Sequence, residues 1–535
     1  TRTSTLFPYT TLFRSKAAVL LAEAIVHDRS ILVLGDFDAD GATSTAVALL
    51  GLRMLGAREV GFRVPSRFAD GYGLTPGIVE RLQAEGAVPD VLVTVDNGIS
   101  AHEGVQAAKA LGMTVIVTDH HLAGAVLPPA DAIVNPNQPG CRFPSKVVAG
   151  VGVIFYVLTA VRRVLDARGV WGAQGAPNLA SLLDLVALGT VADVVPLDHN
   201  NRVLVEQGVR RIRQGHARPG ILALLEVAGR DPASIGATDL GFVLGPRLNA
   251  AGRLDDMSLG IACLLSDDPV HARTLAQELD RLNRERRGIE TDMKAQALAM
   301  LADKALDAAG LPWGVCLFEE EWHQGVIGIL AARIREQVHR PVIAFALGDE
   351  GGETVKGSAR SIPGLHIRDV IADIDARRPG MIRQFGGHAM AAGLTLARAD
   401  LARFSDAFDQ RVRELLSAEA LDATLLTDGE LARHELTLDT ARLLRRAGPW
   451  GQHFPEPLFD GAFRVLQARV VGERHLKMVV QAVDEGEPVD AIAFQWGGLA
   501  PGLVERQVRL VYRPDVNSFR GREALQLLVE QVEIL

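Results

Sequence analysis

Cysteine is scarce in this chain. Among 535 residues there are three, Cys141, Cys263 and Cys316. They lie far apart, with no Cys-x-x-Cys pair and no zinc spacing, and they point to a reducing compartment, read here as the cytoplasm. Long apolar runs are missing as well. The longest, residues 147–161, ends at Arg162 and Arg163. It is too short for a membrane span and reads as a buried helix. Glycine (53) and proline (25) are plentiful but scattered, so no low-complexity tract stands out. Excess positive charge is lacking too: Lys and Arg total 56 against 65 Asp and Glu, a net charge of −9. That argues mildly against nonspecific nucleic-acid binding, although affinity follows local basic surface rather than the total. Acids gathered around a metal would lower the total without opposing a basic groove elsewhere. Residues 1–15 have no initiating Met and no charged segment followed by a long apolar one. No signal peptide is read there, and this atypical start is left out of the expected fold.

What is present is ordinary for a soluble globular protein: 48% hydrophobic and 23% charged residues, in a length that calls for several domains. From Ser30 on, short apolar runs alternate with helical stretches. Residues 31–34, 91–95, 114–118 and 132–134 read as strands, with helices over 43–55 and 102–111. Such alternation predicts a parallel sheet covered on both faces, with ligands at the carboxyl ends of the strands. A mostly helical stretch follows to about 265. Residues 271–306 read as one long helix, with Leu275, Leu279, Leu282, Ile289 and Met293 on one side. A second α/β pattern runs over 313–394. Five strand-like runs close the chain, at 463–471, 476–483, 491–494, 508–512 and 525–535. These suit a small barrel of the oligonucleotide-binding (OB) type.

The strongest chemical signal is Gly35-Asp36-Phe37-Asp38-Ala39-Asp40-Gly41, with three carboxylates in five residues. Such crowding is repulsive unless cations neutralise it, and carboxylate oxygens are what Mg²⁺ and Mn²⁺ prefer. A calcium loop of the EF-hand kind fails, because no Glu occupies the twelfth position from Asp36. Asp96, in Val95-Asp96-Asn97-Gly98, sits where an apolar strand stops, as a site acid or as a helix N-cap. His120 and His121 follow Asp119 at another strand end, where one ring can meet a metal and the other a phosphate. Asp193 is an acid in the apolar segment Leu188-Gly189-Thr190-Val191-Ala192-Asp193, and such an acid needs a partner.

Together with Gly71-Tyr72-Gly73-Leu74 and Asn135-Pro136-Asn137, these motifs resemble the DHH phosphoesterase superfamily and, within it, the RecJ-type single-strand-specific exonucleases. The resemblance runs from about Val33 to the C-terminus. It implies that Asp38 and Asp40 are metal ligands, that Asp36 is a further acid at the site, and that Asp96 bridges two ions. It makes His120 a metal ligand, His121 a contact of the scissile phosphate, and Asp193 the last metal-binding acid. Distant phosphatase relatives carry a His where this chain has Leu34, so one ligand of the first ion is absent or replaced. Asp36 is the nearest extra carboxylate; if the strand's period of two continued, Leu34, Asp36 and Asp38 would line one side.

Later motifs also match. Arg253, in Asn249-Ala250-Ala251-Gly252-Arg253, resembles a substrate-phosphate contact. His323 in Trp322-His323-Gln324-Gly325, Ser358 and Arg360 in Gly357-Ser358-Ala359-Arg360-Ser361, and Gly386, Gly387 and His388 resemble the DHH-associated substrate-binding domain. Glycines let backbone N–H groups approach phosphate oxygens, and Arg360 and His388 can supply charge. The C-terminal barrel carries Arg464, Arg469, Arg474, His475, Lys477, Arg513, Arg520 and Arg522 among Trp496, Tyr512 and Phe519. Basic and aromatic groups together suit a single-strand groove. For Tyr512 and Trp496 a core position is an equal reading.

The expected fold is therefore α/β. A parallel-sheet DHH domain with a helical extension occupies 16–265, a connecting helix 266–308, and a second α/β DHH-associated domain 309–400. A helical linker follows over 401–450, then an OB-type barrel over 451–535. The resemblance implies a hydrolase that releases mononucleotides from single-stranded DNA, 5′→3′, with two Mn²⁺ or Mg²⁺ ions. It also implies a monomer serving recombination and repair, with single-strand-binding protein and a RecQ-type helicase as partners. Two rivals stand against it. One is a phosphoesterase for very short oligonucleotides or nucleoside bisphosphates, which usually lacks the barrel. The other is a replication scaffold that has lost its metal ligands, against which the full set of acids and histidines speaks.

Overall fold

The computed structural model describes residues 16–66, 70–305, 310–349, 351–472, 474–483, 486–519 and 521–535. The atypical start at 1–15, residue 306 of the long helix, Arg520 and the Phe519 side chain lie outside the described residues. The chain divides into two compact units. One comprises the chain up to Gly252 with Asp256–Asp280 and Leu426–Leu535; the other comprises Arg253–Asp255 with Arg281–Leu425.

In the first unit, strands β1 (Ile31–Leu34), β2 (Val60–Arg63), β3 (Val91–Val95), β4 (Thr114–Thr118) and β5 (Ala132–Val134) form a sheet in the order β2-β1-β3-β4-β5. Every neighbouring pair is parallel. β3 is buried along its whole length, which explains its continuous apolar sequence. β2 escapes sequence reading because it is the edge strand: its residues alternate between half-buried and exposed and present no apolar run. The chain passes from β1 outward to β2 and then returns to the other side of β1 to form β3. The crevice at the carboxyl ends of β1 and β3 is thus a topological switch point, the place where such sheets bind ligands.

The helix expected over 43–55 runs instead over Ala39–Met54, with Asp38 as its N-cap. The cap puts Asp40 inside the first turn rather than ahead of the helix. The apolar run at 147–161 becomes the buried helix Gly150–Ala167. No helix among the described residues is long and apolar enough to cross a membrane.

The long helix spans Pro269–Ala305. Beyond it, strands β6 (Val315–Phe318), β7 (Val342–Leu347), β8 (Thr354–Arg360), β9 (Ile382–Gly387) and β10 (Ala391–Ala397) form a second sheet, ordered β6-β7-β8-β10-β9. Only β6 and β7 are parallel. The helix Leu401–Leu415 corrects the linker expected from 401. Its Phe404, Phe408 and Val412 are fully buried in the core of this sheet together with Phe345 and Ile371.

Strands β11 (Phe459–Val471), β12 (His475–Ala482), β13 (Val489–Ala493), β14 (Gln507–Phe519) and β15 (Arg522–Ile534) close into a barrel. Tyr512 is a core residue of that barrel at 0% exposure, and Trp496 packs partly against the same core.

Candidate metal centre and phosphate-binding residues

Three adjacent strands, β1, β3 and β4, each end in acid. After β1 the Asp38 carboxylate accepts the Gly41 N–H at 2.9 Å, and Asp36 accepts the Phe37 N–H at 2.7 Å. Asp40 is turned inward, where its two oxygens accept the N–H groups of Gly150 (2.7 Å) and Val151 (3.0 Å) at the start of helix Gly150–Ala167. A carboxylate at a helix N-terminus is stabilised by the exposed amides. Burial and the neighbouring Asp38 nevertheless push its pKa up to about 7.

Asp96 follows β3 at φ +62, a left-handed conformation rare outside glycine, with its N–H donated to the Thr118 carbonyl at 3.0 Å. Asn97 holds that turn against β1, donating its side-chain amide to the carbonyls of Leu34, Gly35 and Val95. A Cβ at Gly150 would lie 2.5 Å from Asp96 Oδ1, so only glycine leaves this carboxylate its place. Burial, then the charges of Asp40, Asp38, Asp193 and Asp36, raise the Asp96 pKa well above the usual range. Asp193, the C-cap of helix Leu183–Ala192, is raised by burial and by Asp40.

After β4, the buried Asp119 accepts N–H groups from Ile99, His120 and His121 and the His121 ring at 2.8 Å. Burial opposes its ionisation, but the His121 hydrogen bond and the two imidazoles outweigh it and hold its carboxyl below the usual range. Burial likewise lowers the His121 pKa, yet Asp119 dominates and lifts it to about 9. Asn137 and Asn135 donate to the carbonyls of His120 (2.6 Å) and His121 (2.9 Å), which gives the Asn-Pro-Asn motif a physical role. His120 Nε2 then lies 3.1 Å from Asp96, 3.5 Å from Asp193 and 4.0 Å from Asp40.

The six residues expected at the metal site come together, with His121 beside them. Ligand atoms of Asp36, Asp38 and Asp96, of Asp40, His120 and Asp193, and of Asp96, His120 and His121 lie within 4.8 Å of one another in each set. Asp96 and His120 each belong to two sets, as groups between two positions would. Asp96 Oδ1 is buried and accepts no hydrogen bond from a described residue; His120 reaches ion-pair distance without hydrogen-bond geometry. Converging carboxylates with an unsatisfied buried oxygen fit hard divalent cations. The strand-period argument for Leu34 fails, because β1 stops at Leu34, whose side chain is buried among Leu74, Ile78 and Leu92. Asp36 joins Asp38 through the turn and cap instead.

Sequence reading missed Asp119 and Tyr72 as site residues, although it quoted both motifs. The signal for Asp119 was an acid directly before two histidines. The Tyr72 hydroxyl lies 3.3 Å from the His121 ring nitrogens and donates to the Asp96 carbonyl at 3.3 Å.

The remaining expected residues fall in the second unit. Arg253 donates to the Gly325 carbonyl at 2.9 Å, and the Gly325 N–H donates to His323 Nδ1 at 3.0 Å, so these three form one cluster. Arg360 ends β8, donating to Ser358 Oγ at 3.2 Å. Both side chains abut Gly328, where a Cβ would lie 2.9 Å from Ser358 and 3.0 Å from Arg360, at the start of helix Ile327–Val338. Gly386 and Gly387 end β9 and His388 begins its turn to β10, all three exposed. There Gly387 takes φ +141, and the His388 N–H donates to the Ala391 carbonyl at 2.7 Å. Ala391 pairs with Arg360, so this turn and Arg360 share one end of the sheet.

The arrangement is that of a metal-dependent phosphoesterase of the DHH class. Residues 30–190 match the DHH family N-terminal domain, 310–414 the DHHA1 domain, and 427–531 the RecJ OB domain. The chain is 54% identical over 521 residues to the single-stranded-DNA-specific exonuclease RecJ of Dickeya dadantii, covering 97% of this chain and 90% of that protein. It is 54% identical over 520 residues to the RecJ of Escherichia coli, covering 97% and 89%. The crystal structure of Thermus thermophilus RecJ with Mn²⁺ superposes at a TM-score of 0.79 with 30% identity, covering 99% of this chain and 73% of that one. The same protein has been solved with Mg²⁺. The chain belongs to the RecJ family of exonucleases.

Proposed function

We propose that this chain is a single-strand-specific DNA exonuclease that hydrolyses phosphodiester bonds with two divalent ions and releases mononucleotides 5′→3′, in recombination and repair. The observation that carries the reading is the convergence of five aspartates and His120 around the buried, unsatisfied oxygen of Asp96. Family membership supplies the substrate class. Asp36, Asp38, Asp40, Asp96, His120 and Asp193 would hold Mn²⁺ or Mg²⁺. Bound ions supply an activated water and charge stabilisation for the displaced oxygen. His121, its ring held by Asp119, would meet the scissile phosphate. Asp119 and the Asn135–Asn137 turn fix both histidines. Arg253 and Arg360 supply cations, Ser358 a hydroxyl, His323 and His388 imidazoles, and Gly386 and Gly387 backbone amides, groups suited to phosphate oxygens. Single-stranded DNA is the partner that the barrel suits. Single-strand-binding protein, a RecQ-type helicase, a monomeric state and a cytoplasmic setting rest on the resemblance and on cysteine usage.

The test is digestion of single strands labelled at either end, with Mn²⁺, beside duplex and RNA controls. Stepwise release of mononucleotides from the 5′ end of single-stranded DNA is expected. Equal cleavage of duplex, or release confined to dinucleotides, would overturn the reading.

A further inference from the structure

Backbone N–H groups fix the carboxylates of Asp36, Asp38 and Asp40. Asp193 is held less directly. Its side chain is 22% exposed and meets His120 Nε2 at 3.5 Å, so its place depends on the backbone that carries it. That backbone is strained. Val194 takes φ +61, and a β-branched residue there is an outlier that persists only where its surroundings impose it. The chain then runs through Pro196 to Leu197, which is buried. Asn201, in helix His199–Arg213, donates to the Pro196 carbonyl at 2.9 Å and to the Val147 carbonyl at 2.8 Å. Val147 comes just before Gly150, whose N–H holds Asp40.

The Leu197 end of this segment is gripped by a turn from far along the chain. Between helix Leu438–Ala447 and β11, the backbones of Gly451 and Phe454 exchange hydrogen bonds of 2.9 and 3.0 Å, with His453 at φ +57. The Leu197 N–H donates to the Gln452 carbonyl in that turn at 2.8 Å. A Cβ at Gly451 would lie 2.7 Å from Leu197 Cδ1, so glycine gives the leucine its room. Two rings brace the turn. Phe454 stacks on Trp450 at 5.1 Å between centroids and 20° between planes, and the Trp450 Nε1–H donates to the Leu444 carbonyl at 2.9 Å. The Arg202 guanidinium lies 4.1 Å over the Phe454 ring. Its Nε is buried without a hydrogen-bond partner among the described residues, and the ring face is the attraction that compensates it.

Resting on the metal-centre reading above, we propose that Phe454 is a positioning residue for Asp193. It acts through Leu197 and not at the ions. Its ring, held between Trp450 and Arg202, sets the turn that receives the Leu197 N–H and so anchors the far end of the strained segment Asp193–Leu197. Arg202 directly follows Asn201, so the helix that grips Phe454 also carries the side chain that ties Pro196 to Val147. The lead-in to the barrel thereby helps to build the metal centre. A ligand carried on a strained segment is placed only as firmly as its anchors. Losing such outer support costs metal affinity rather than substrate affinity.

The experiment is calorimetric titration of Mn²⁺ into the full chain, beside digestion kinetics on a short thymidine oligonucleotide at limiting and saturating Mn²⁺. Phe454→Ala should weaken Mn²⁺ binding roughly tenfold. Its turnover should fall at limiting Mn²⁺ and recover as Mn²⁺ is raised, with KM for the oligonucleotide unchanged. Phe454→Tyr, which keeps a ring beneath the guanidinium, should bind Mn²⁺ as the parent chain does. Arg202→Met removes the cation without opening a cavity and should lower Mn²⁺ affinity in the same direction, which keeps the test open should Phe454→Ala fail to fold. Far-UV circular dichroism reports the folding of each variant. Parent-like Mn²⁺ affinity in folded Phe454→Ala or Arg202→Met would overturn the positioning role. So would an equal loss at Phe454→Tyr, or a rise in KM that Mn²⁺ does not reverse, since that marks a part in holding the strand. A parent chain that takes up no Mn²⁺ would overturn the metal-centre reading itself, and the positioning role with it.

Discussion

The parallel sheet ends in buried anions, whereas the mixed sheet ends in cations and glycines nearer the surface. Asp36, Asp40, Asp96 and Asp119 are each no more than 3% exposed. Arg360 is half-buried and the Gly386–His388 turn is exposed. The sheet orders account for part of the difference. In the first unit, three neighbouring parallel strands all deliver their carboxyl ends to one crevice at a switch in strand order, so their end residues are forced together. In the second, antiparallel pairing leaves β9 at an edge and puts its turn with β10 in solvent. Buried like charges can hold only an ion of opposite sign. A half-buried guanidinium and exposed backbone amides can greet a mobile anion. Under the proposed function the two regions would divide the work between metal and phosphate.

The sharpest way to break this division is Asp96→Ala. It removes the carboxylate shared between two ligand sets and should lower turnover by at least about 10³-fold at saturating Mn²⁺. Near-normal turnover, measured by single-strand digestion, would remove Asp96 from the metal centre. Asp119→Asn probes how the histidines are held. It keeps the shape but weakens acceptance from the His121 ring and the two loop amides, and a loss of roughly 10–100-fold in activity or Mn²⁺ affinity is expected.

Arg360→Gln tests the other side of the comparison. Loss of a charge-assisted phosphate contact should raise KM about tenfold while the Mn²⁺-induced shift in melting temperature stays as in the parent chain. A changed Mn²⁺ shift would place Arg360 with the metal residues. The smallest effect concerns pH. Asp40 is pushed from 3.8 up to about 7 without metal, so the folded state holds a proton that the unfolded state gives up. Its contribution to metal-free stability is present below the ordinary carboxylate range and is lost as pH rises towards 7. Mn²⁺ must displace that proton. Going from pH 7.5 to 6.5 should raise the Mn²⁺ needed for half-saturation roughly threefold for this group alone. Calorimetric titration at the two values checks this, and a requirement that falls on acidification would reverse the assigned sign.

Much of the site was legible because local sequence dictates it. An apolar run followed by acid and glycine marks a strand end, and such a run needs no partner to be recognised. That is how Asp96 and the His120–His121 pair were found. β2 was hidden because an edge strand buries only alternate residues and carries no run. Asp119 was overlooked because its role lies in four hydrogen bonds, three from the folded turn of His120 and His121 and one from Ile99 on the loop after β3. The linker boundary slipped for a similar reason. Phe404 and Phe408 give helix Leu401–Leu415 an apolar face, but nothing in that pattern says which core receives it.

By itself, the sequence determined the element types, the order of the acidic motifs and the chemistry of their ligands, because propensity, periodicity and donor identity are properties of short segments. Only the tertiary structure decided that Asp40 turns into the amides of Gly150 and Val151, and that Leu34 is packing rather than a vacant ligand position. It also decided which arginines of the barrel pair with carboxylates, as Arg464 does with Glu505 and Arg513 with Glu530. Those outcomes depend on residues brought together from distant parts of the chain, and burial, not identity, sets what each group can do there.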